Sequence, residues 1–168
     1  LLRPSLNGRI AYFAGGKNQL ETVHALNFVL GAEACVQTEV TQGKIYFVTD
    51  EKPVESGAFS NKILEACGLE PNHRSLPAAL GRALAWSGKR DEKGNQILTR
   101  SSFLYMVRHQ ILSDETFRQD TGYNSPISRD AGLRDLEKWS SYVGGAKEIS
   151  IGRRRGASKS LVERTWNF

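Results

Sequence analysis

Few residues of this 168-residue chain stand at spacings that catalysis requires. The three histidines, His24, His73 and His109, are too far apart in sequence to indicate a metal-binding pair. No Gly-x-Ser-x-Gly turn is present, so a hydrolase would lack its nucleophilic serine. From the residues alone we assign no catalytic, cofactor-binding or metal-binding position.

Two pairs of acidic residues need a separate explanation. Asp50 and Glu51 follow an apolar run, and Asp114 and Glu115 follow Ser113. A loop and a helix cap account for the two pairs. An alternative stays open, because Asp50 and Glu51 could face a ligand from the end of a strand.

The element that would position such a ligand is the stretch Gly43–Val54. Ile45 to Val48 is an unbroken run of large β-favouring residues, which predicts a strand buried on both faces. Asp50 to Pro53 ends the run, and apolar residues then recur at helical spacing from Phe59 to Cys67. The stretch therefore reads as a strand, a loop and a helix of an α/β fold.

The chain before this stretch predicts a strand, a turn and a helix. Arg9 to Phe13 reads as the strand, and Ala14–Asn18 as a tight turn with Lys17 and Asn18 at its tip. We favour a plain turn over a ligand-binding loop. The apolar pattern of Leu20 to Val36 predicts the helix.

The chain after this stretch is mainly helical. Capping residues and apolar spacing predict helices, and one segment is ambiguous between helix and strand. The expected helices cover Ser56 or Gly57 to Cys67, Ala78 to Trp86, Ser113 to Gly122 and Ser128 to Trp139, and the ambiguous segment is Phe103 to Val107. The fold class is therefore α/β, with few strands and about five helices.

Charge and composition limit the partners. The net charge is +5, and +4 of it lies between Lys147 and Phe168, where six Lys or Arg meet two Glu. We expect a folded domain over residues 1–145 and a basic, flexible tail over 146–168, without nucleic-acid binding. No apolar run is long enough to cross a bilayer, so we expect no transmembrane segment.

The stretch Gly43–Val54, Gly-Lys-Ile-Tyr-Phe-Val-Thr-Asp-Glu-Lys-Pro-Val, resembles a strand and loop of the 3β-hydroxysteroid dehydrogenase/isomerase-like family. This group of extended short-chain dehydrogenases includes sterol-4α-carboxylate 3-dehydrogenases. Further similarities follow in the family's order: Ser75-Leu-Pro77, Leu98-Thr-Arg100 and the run Thr121 to Trp139. Together they cover Gly15 to Trp139 and are similar to the C-terminal half of the family.

The resemblance implies a fold, an activity and a cofactor. It implies the substrate-side lobe of an NAD- or NADP-dependent enzyme that oxidises a 3β-hydroxyl of a steroid or sterol-like alcohol. In that family a Tyr acts as the base, with its pKa lowered by a Lys. Lys17 and Asn18 match the family's loop near the substrate entrance, and Arg100 matches its Leu-Thr-Arg motif, which implies that all three face the ligand. For Arg100 we favour the alternative, a surface ion pair.

Two departures from the family pattern limit what is carried over. The sequence has no Gly-x-x-Gly-x-x-Gly turn and no Tyr-x-x-x-Lys, so the Rossmann half, the cofactor fingerprint and the base are missing. In addition, the segment between Gly16-Lys-Asn18 and Gly31-Ala-Glu-Ala34 is about four residues shorter than in the family. A strand of the family or the first turn of the following helix is therefore in doubt. The chain begins with Leu, and we expect a partial sequence that binds no cofactor and is inactive alone.

Two functional hypotheses follow. The first is a portion of a steroid dehydrogenase, and the second is a non-catalytic protein that binds an apolar ligand or a partner. We expect an intracellular protein, in the cytoplasm or peripheral at the endoplasmic reticulum. Either hypothesis allows homo- or hetero-oligomers, because a lost Rossmann half would leave a sheet edge exposed.

Overall fold

The computed structural model describes residues 11–50, 52–91 and 94–151. These residues form seven α-helices and four strands of two residues each. The strands are β1 (Tyr12–Phe13), β2 (Gln19–Leu20), β3 (Val54–Glu55) and β4 (Ser75–Leu76). The helices are α1 (Ala25–Gln37), α2 (Ser56–Ala66), α3 (Ala78–Ser87), α4 (Arg100–Val107), α5 (Glu115–Thr121), α6 (Arg129–Val143) and α7 (Gly145–Ile151). The fold is mixed α/β with few strands, as expected, although it has more helices than the five predicted.

The strands join distant parts of the chain in two small sheets. β1 pairs with β4 in parallel, and β2 pairs with β3 antiparallel. Between β1 and β2 the chain makes a 3₁₀ turn, Ala14–Gly16, in which all three residues have positive φ. The Cα of Gly57 lies only 2.8 Å from the place where a Cβ on Gly16 would stand, so this close approach requires glycine.

One apolar core lies between β1, α3 and α4. Phe13, Ala85, Leu98 and Phe103 are buried together there. The rings of Phe13 and Phe103 meet edge to face with their centroids 5.5 Å apart, a favourable aromatic geometry. Gly81 lets them approach, because a Cβ at this position would stand 2.6 Å from Phe13.

A second packing centre surrounds Phe117 of α5, which is 1% exposed. The ring of Tyr46 meets it at 5.7 Å and that of Tyr123 at 5.4 Å. Gly31 of α1 also lies against the Phe117 ring and against Val48. This centre holds α1, α5 and the segment 44–50 together.

Asn27 of α1 forms the polar counterpart of this centre and is 0% exposed. Its amide nitrogen donates to Asp50 Oδ1 at 2.6 Å and to the carbonyl of Ile127 at 2.8 Å. Its amide oxygen accepts from the Ile127 N–H at 3.1 Å. Asp50 also accepts from the His24 N–H at 2.6 Å, so every group in this buried network is paired.

Most helix boundaries agree with the sequence predictions because local capping signals set them. Ser128 accepts from the N–H of Ala131 and starts α6, which runs four residues past the predicted end at Trp139. Gly122 ends α5 in the left-handed conformation. The ambiguous segment 103–107 is helical and belongs to α4, whose cap is Thr99.

Two predictions were wrong. Residues 45–48 form no paired strand in the described part of the chain, and Ile45 and Phe47 lie exposed instead of buried on both faces. The helix predicted from Leu20 begins at Ala25, because Leu20 pairs with Val54 in β2 and the His24 ring accepts from the Leu26 N–H.

The end of the domain can be described only in part. α7 covers residues 145–151, and Ala146 within it is buried. Arg153 to Arg155 and the rest of the basic segment lie outside the described residues. The domain boundary after residue 145 and the flexible tail stay predictions.

Candidate apolar cavity beside Asn18

Asn18 follows the 3₁₀ turn and points inward, with only 6% of its surface exposed. Its amide oxygen accepts from the Ser56 hydroxyl at 2.5 Å. Its amide nitrogen lies 3.4 Å from the carbonyls of Tyr105 and Arg108. The side chain therefore joins β2, α2 and α4, and its groups already have protein partners.

A cavity of about 210 Å³ opens beside Asn18. Most of its lining is apolar, with hydroxyl groups from α2 and the amide of Asn18 among the wall residues. The wall consists of Ala11, Tyr12, Gly16, Asn18, Leu20, Ser56, Ser60, Tyr105 and Met106. Sites for drug-sized ligands usually measure about 300–1,000 Å³, so this cavity has room for part of such a ligand.

Tyr12 is one of two tyrosines in the cavity wall, with Tyr105. Its hydroxyl donates to Asn61 Oδ1 at 2.8 Å. Burial raises the pKa of Tyr12, and hydrogen bonds with Ser60 and Asn72 offset only part of this rise. A tyrosine that acts as a base needs a lowered pKa, so Tyr12 is suited to hydrogen bonding and not to proton abstraction at neutral pH.

The two cations that the sequence singled out lie apart from the cavity wall. Lys17 is exposed, is not part of the lining, and has no ion-pair partner among the described residues. The Arg100 guanidinium stacks over the Trp86 ring, 5.2 Å from its centroid, and Arg82 stacks on the same ring at 5.7 Å. Thus only Asn18 of the three expected ligand-facing residues reaches the cavity.

A larger cleft of about 470 Å³, more polar than the cavity beside Asn18, has Asp50 in its wall. Glu21 and Asp114 are in its wall, and Asp114 pairs with Arg118 at 2.8 Å. Burial raises the pKa of Glu21, the Asp114 charge raises it further, and Arg129 opposes both. One oxygen of Glu21 is buried without a hydrogen-bond partner. Sequence reasoning missed Glu21, because no spacing marks it.

The structure gives Asp50 a structural role. Its carboxylate is 7% exposed and accepts from His24 and Asn27, which explains its position without a ligand. Glu51 lies outside the described residues. Among the described residues, no group of three or more His, Cys, Asp or Glu could hold a metal ion.

Comparisons with known proteins give distant relatives, and no protein-family model matches the chain. A sterol-4-alpha-carboxylate 3-dehydrogenase (decarboxylating) of Dictyostelium discoideum is 26% identical over 132 residues, 74% of this chain and 40% of the relative. A 2-alkyl-3-oxoalkanoate reductase of Shewanella oneidensis is 29% identical over 113 residues, 62% of this chain and 28% of the relative. The similarity is to dehydrogenases and reductases.

A third relative agrees with the first two. A 4-hydroxy-2-methyl-3-oxo-4-farnesyl-3,4-dihydroquinoline-1-oxide ketoreductase of Stigmatella aurantiaca is 26% identical over 135 residues, 77% of this chain and 40% of the relative. The chain therefore spans well under half the length of the curated relatives it matches. In the described part of the chain, no helix is both long and apolar enough to span a membrane.

Proposed function

We propose that this chain is the substrate-side portion of an NAD(P)-dependent oxidoreductase that oxidises a 3β-hydroxyl of a sterol-like alcohol. The observation that carries the proposal is the similarity to a sterol dehydrogenase over 74% of this chain. The apolar cavity supports it, because a fused-ring alcohol offers the apolar surface and single polar group that such a wall accommodates.

The size of the cavity decides how much of the ligand this chain holds. At about 210 Å³ it contains part of a drug-sized ligand, and the reacting carbon then lies outside this wall. Leu20 and Met106 give the wall apolar surface, while the Ser60 hydroxyl and the oxygen of the Ser56 hydroxyl offer hydrogen bonds. Asn18 holds the wall together through Ser56. The ligand-facing roles of Lys17 and Arg100 stay proposals, since neither residue lines this cavity.

The cofactor chemistry belongs to the part of the relatives that this chain does not match. When bound there, NAD or NADP accepts the hydride, and the base is a tyrosine of that part. This chain contributes binding and positioning, so alone it binds no dinucleotide and is inactive. We place the protein inside the cell, in the cytoplasm or at the surface of the endoplasmic reticulum.

An activity assay of the full gene product tests this proposal. The transcript that encodes the chain is read upstream of Leu1, expressed in full, and assayed for 3β-hydroxysteroid-dependent reduction of NAD⁺ and NADP⁺. We expect an upstream Gly-x-x-Gly-x-x-Gly turn, a Tyr-x-x-x-Lys pair and measurable turnover. A reading frame that lacks both motifs, or a full product without turnover on any 3β-hydroxysteroid, would contradict the proposal.

The second candidate is a non-catalytic protein that binds an apolar ligand or a partner. The observation that favours it is the apolar cavity itself, whose wall offers apolar surface and hydroxyl groups to a ligand without any cofactor. Titration with a fluorescent sterol separates the candidates. Micromolar affinity of the chain alone favours the binding protein, whereas affinity that appears only in the longer gene product favours the dehydrogenase.

A further inference from the structure

The polar side chains in the wall of the cavity beside Asn18 have hydrogen bonds that run in fixed directions. None of the wall residues is charged, and the polar side chains among them are Tyr12, Asn18, Ser56, Ser60 and Tyr105. Backbone groups decide the direction of each bond, because an N–H only donates and a C=O only accepts. The directions then show what the wall offers to a ligand.

The Asn18 amide has no hydrogen left for a ligand. Its nitrogen lies 3.4 Å from the backbone carbonyls of Tyr105 and Arg108, so both amide hydrogens are directed at the protein. Its oxygen therefore faces Ser56 and accepts the Ser56 hydroxyl hydrogen at 2.5 Å. The Gly16 carbonyl, 3.2 Å from the same hydroxyl, is a second acceptor for it. With either acceptor, Ser56 offers the cavity only the lone pairs of its oxygen.

Tyr12 is directed in the same way by Asn61, which does not line the cavity. The backbone of Asn72 orients the Asn61 amide: Oδ1 accepts from the Asn72 N–H at 2.9 Å, and Nδ2 donates to the Asn72 carbonyl at 3.2 Å. Because Oδ1 is an acceptor, the Tyr12 hydroxyl donates to it at 2.8 Å. Ser60 is hydrogen-bonded to Tyr12 as well, and it must donate there, since the Tyr12 hydrogen is already used.

The hydroxyl hydrogens of Tyr12, Ser56 and Ser60 are thus all directed at protein atoms. Ser56 and Ser60 stand four positions apart on α2, so their oxygens are neighbours on one face of the helix. Tyr105 differs, because its side chain is 61% exposed and its hydroxyl can bond to water. The enclosed part of the wall therefore offers side-chain acceptors and no side-chain donor.

We propose that the cavity beside Asn18 binds a hydroxyl group of the ligand, which donates a hydrogen bond to the neighbouring oxygens of Ser56 and Ser60, and that it rejects a carbonyl group in the same place. A carbonyl oxygen would give up its hydrogen bonds with water and face only lone pairs. An ammonium group also donates, but the uncharged, mostly apolar wall has no carboxylate to pair with it.

The inference rests on the proposed function and narrows its substrate class. The cavity has room for only part of a sterol-like ligand, so the reacting carbon with its 3β-hydroxyl lies outside this wall. The hydroxyl bound between Ser56 and Ser60 is therefore a second one, distant from the 3β-hydroxyl. The substrate becomes a sterol-like diol, in preference to a 3β-alcohol that has a ketone at its far end.

A matched pair of small probes tests the inference on the 168-residue chain. Cyclohexanol and cyclohexanone have similar rings, but only the alcohol donates a hydrogen bond, and apolar cavities of about 150 Å³ already admit a ring of this kind. Met106 is the one methionine of the chain and lies in the wall, so its isotope-labelled methyl group reports binding as a single NMR signal. We expect cyclohexanol to bind at least about tenfold more tightly than cyclohexanone. Equal affinities, tighter binding of the ketone, or no shift with either probe would overturn the inference.

Two substitutions distinguish bond direction from packing. Asn61→Ala releases the Tyr12 hydroxyl hydrogen, so a donor becomes available and the alcohol-to-ketone affinity ratio should fall to within about threefold. Ser60→Ala removes one acceptor and should weaken cyclohexanol binding more than cyclohexanone binding. The control Lys62→Ala, at an exposed residue of the same helix, should leave the ratio within about twofold. An unchanged ratio in both variants would overturn the inference, and Ser60→Ala decides alone if Asn61→Ala does not fold.

The full gene product separates this inference from the proposed function. Turnover of a 3β-hydroxysteroid with a distal hydroxyl, at a KM at least about tenfold below that of the matching distal ketone, would support both. Turnover with equal KM values sustains the function and overturns the inference. Selective binding of cyclohexanol by the chain, without turnover by the gene product, sustains the acceptor-only cavity and counts against the proposed function.

Discussion

The inward and outward sides of the extended segment 44–50 belong to one short stretch of chain yet have opposite environments. On the inward side, Thr49 donates to Asp114 at 2.9 Å and Tyr46 packs on a phenylalanine that is 1% exposed. On the outward side, Ile45 is almost entirely exposed. The composition of this segment is typical of a strand that is buried on both faces, whereas the described residues bury only one of its faces.

The strongest test of this comparison measures the free energy of unfolding after substitution of two phenylalanines, one on each side. Phe117→Ala removes the ring beneath Tyr46 and Tyr123, and we expect it to lower the free energy of unfolding by about 3–5 kcal/mol. Phe47→Ala deletes the same atoms on the outward side and should cost less than about 1 kcal/mol in this chain. Urea denaturation of both variants measures the difference. Equal losses would mean that Phe47 is buried in solution.

The second test addresses the polar network on the inward side. Asn27→Ala leaves the Ile127 N–H and Asp50 Oδ1 without their Asn27 partner, and we expect a loss of about 2–4 kcal/mol. Gln37→Ala on the same helix, at an exposed amide bonded to Glu33, is the control and should change stability by less than about 0.5 kcal/mol. If Asn27→Ala lost as little stability as Gln37→Ala, the result would contradict a stabilising role for this network.

The third test uses pH. Burial would raise the pKa of Asp114, but hydrogen bonds from Arg118 and Thr49 together with the Arg118 charge hold it below its usual value. The folded state therefore binds this proton less readily than the unfolded chain. The stability that Asp114 contributes is full above about pH 4 and is lost as the pH falls toward its lowered pKa.

Thermal unfolding between pH 5 and pH 3 measures this loss, with Glu21→Gln in every protein. That background is needed because the raised pKa of Glu21 gives a slope of opposite sign. Asp114→Asn should then lose less stability on acidification than the background protein, while Asp135→Asn at an exposed site should not differ from it. Identical slopes for Asp114→Asn and the background would contradict the assignment.

The smallest expected effect concerns Arg100. Arg100→Ala removes one of two guanidinium groups stacked on Trp86, and we expect a loss of about 0.5–1 kcal/mol, typical of an exposed cation–π contact. Tryptophan fluorescence during urea unfolding follows it, with Lys17→Ala as the control. In the full gene product, a rise in KM with Arg100→Ala would support the substrate role that we also propose for this residue.

Local signals in the sequence predicted much of the fold. Capping and glycine signals located α2, α3, α5 and α6, because these signals act within a few residues of a helix end. Periodicity predicts Leu20 in a helix. It cannot reveal the strand pairing of Leu20, because the partner Val54 in β3 lies 34 positions away in sequence. The apolar run 45–48 indicated a buried strand wrongly, because among the described residues nothing pairs with it or covers Ile45 and Phe47.

The candidate site was less predictable than the fold. Asn18 was expected to face a ligand because it matches a loop near the substrate entrance in the family that the sequence resembles, whereas its amide joins Ser56 to the carbonyls of Tyr105 and Arg108. Those partners are 38 to 90 positions away, so no local pattern could reveal them. The cavity wall likewise combines residues from three distant parts of the chain.

The central claim is that this chain carries a substrate-side cavity but no cofactor site. An NADH titration of the chain alone, followed by the fluorescence of its three tryptophans, tests it most directly. The account predicts no saturable change at concentrations where the full gene product gives a binding curve. Saturable micromolar binding by the chain alone would contradict it, since a dinucleotide site would then exist within these 168 residues.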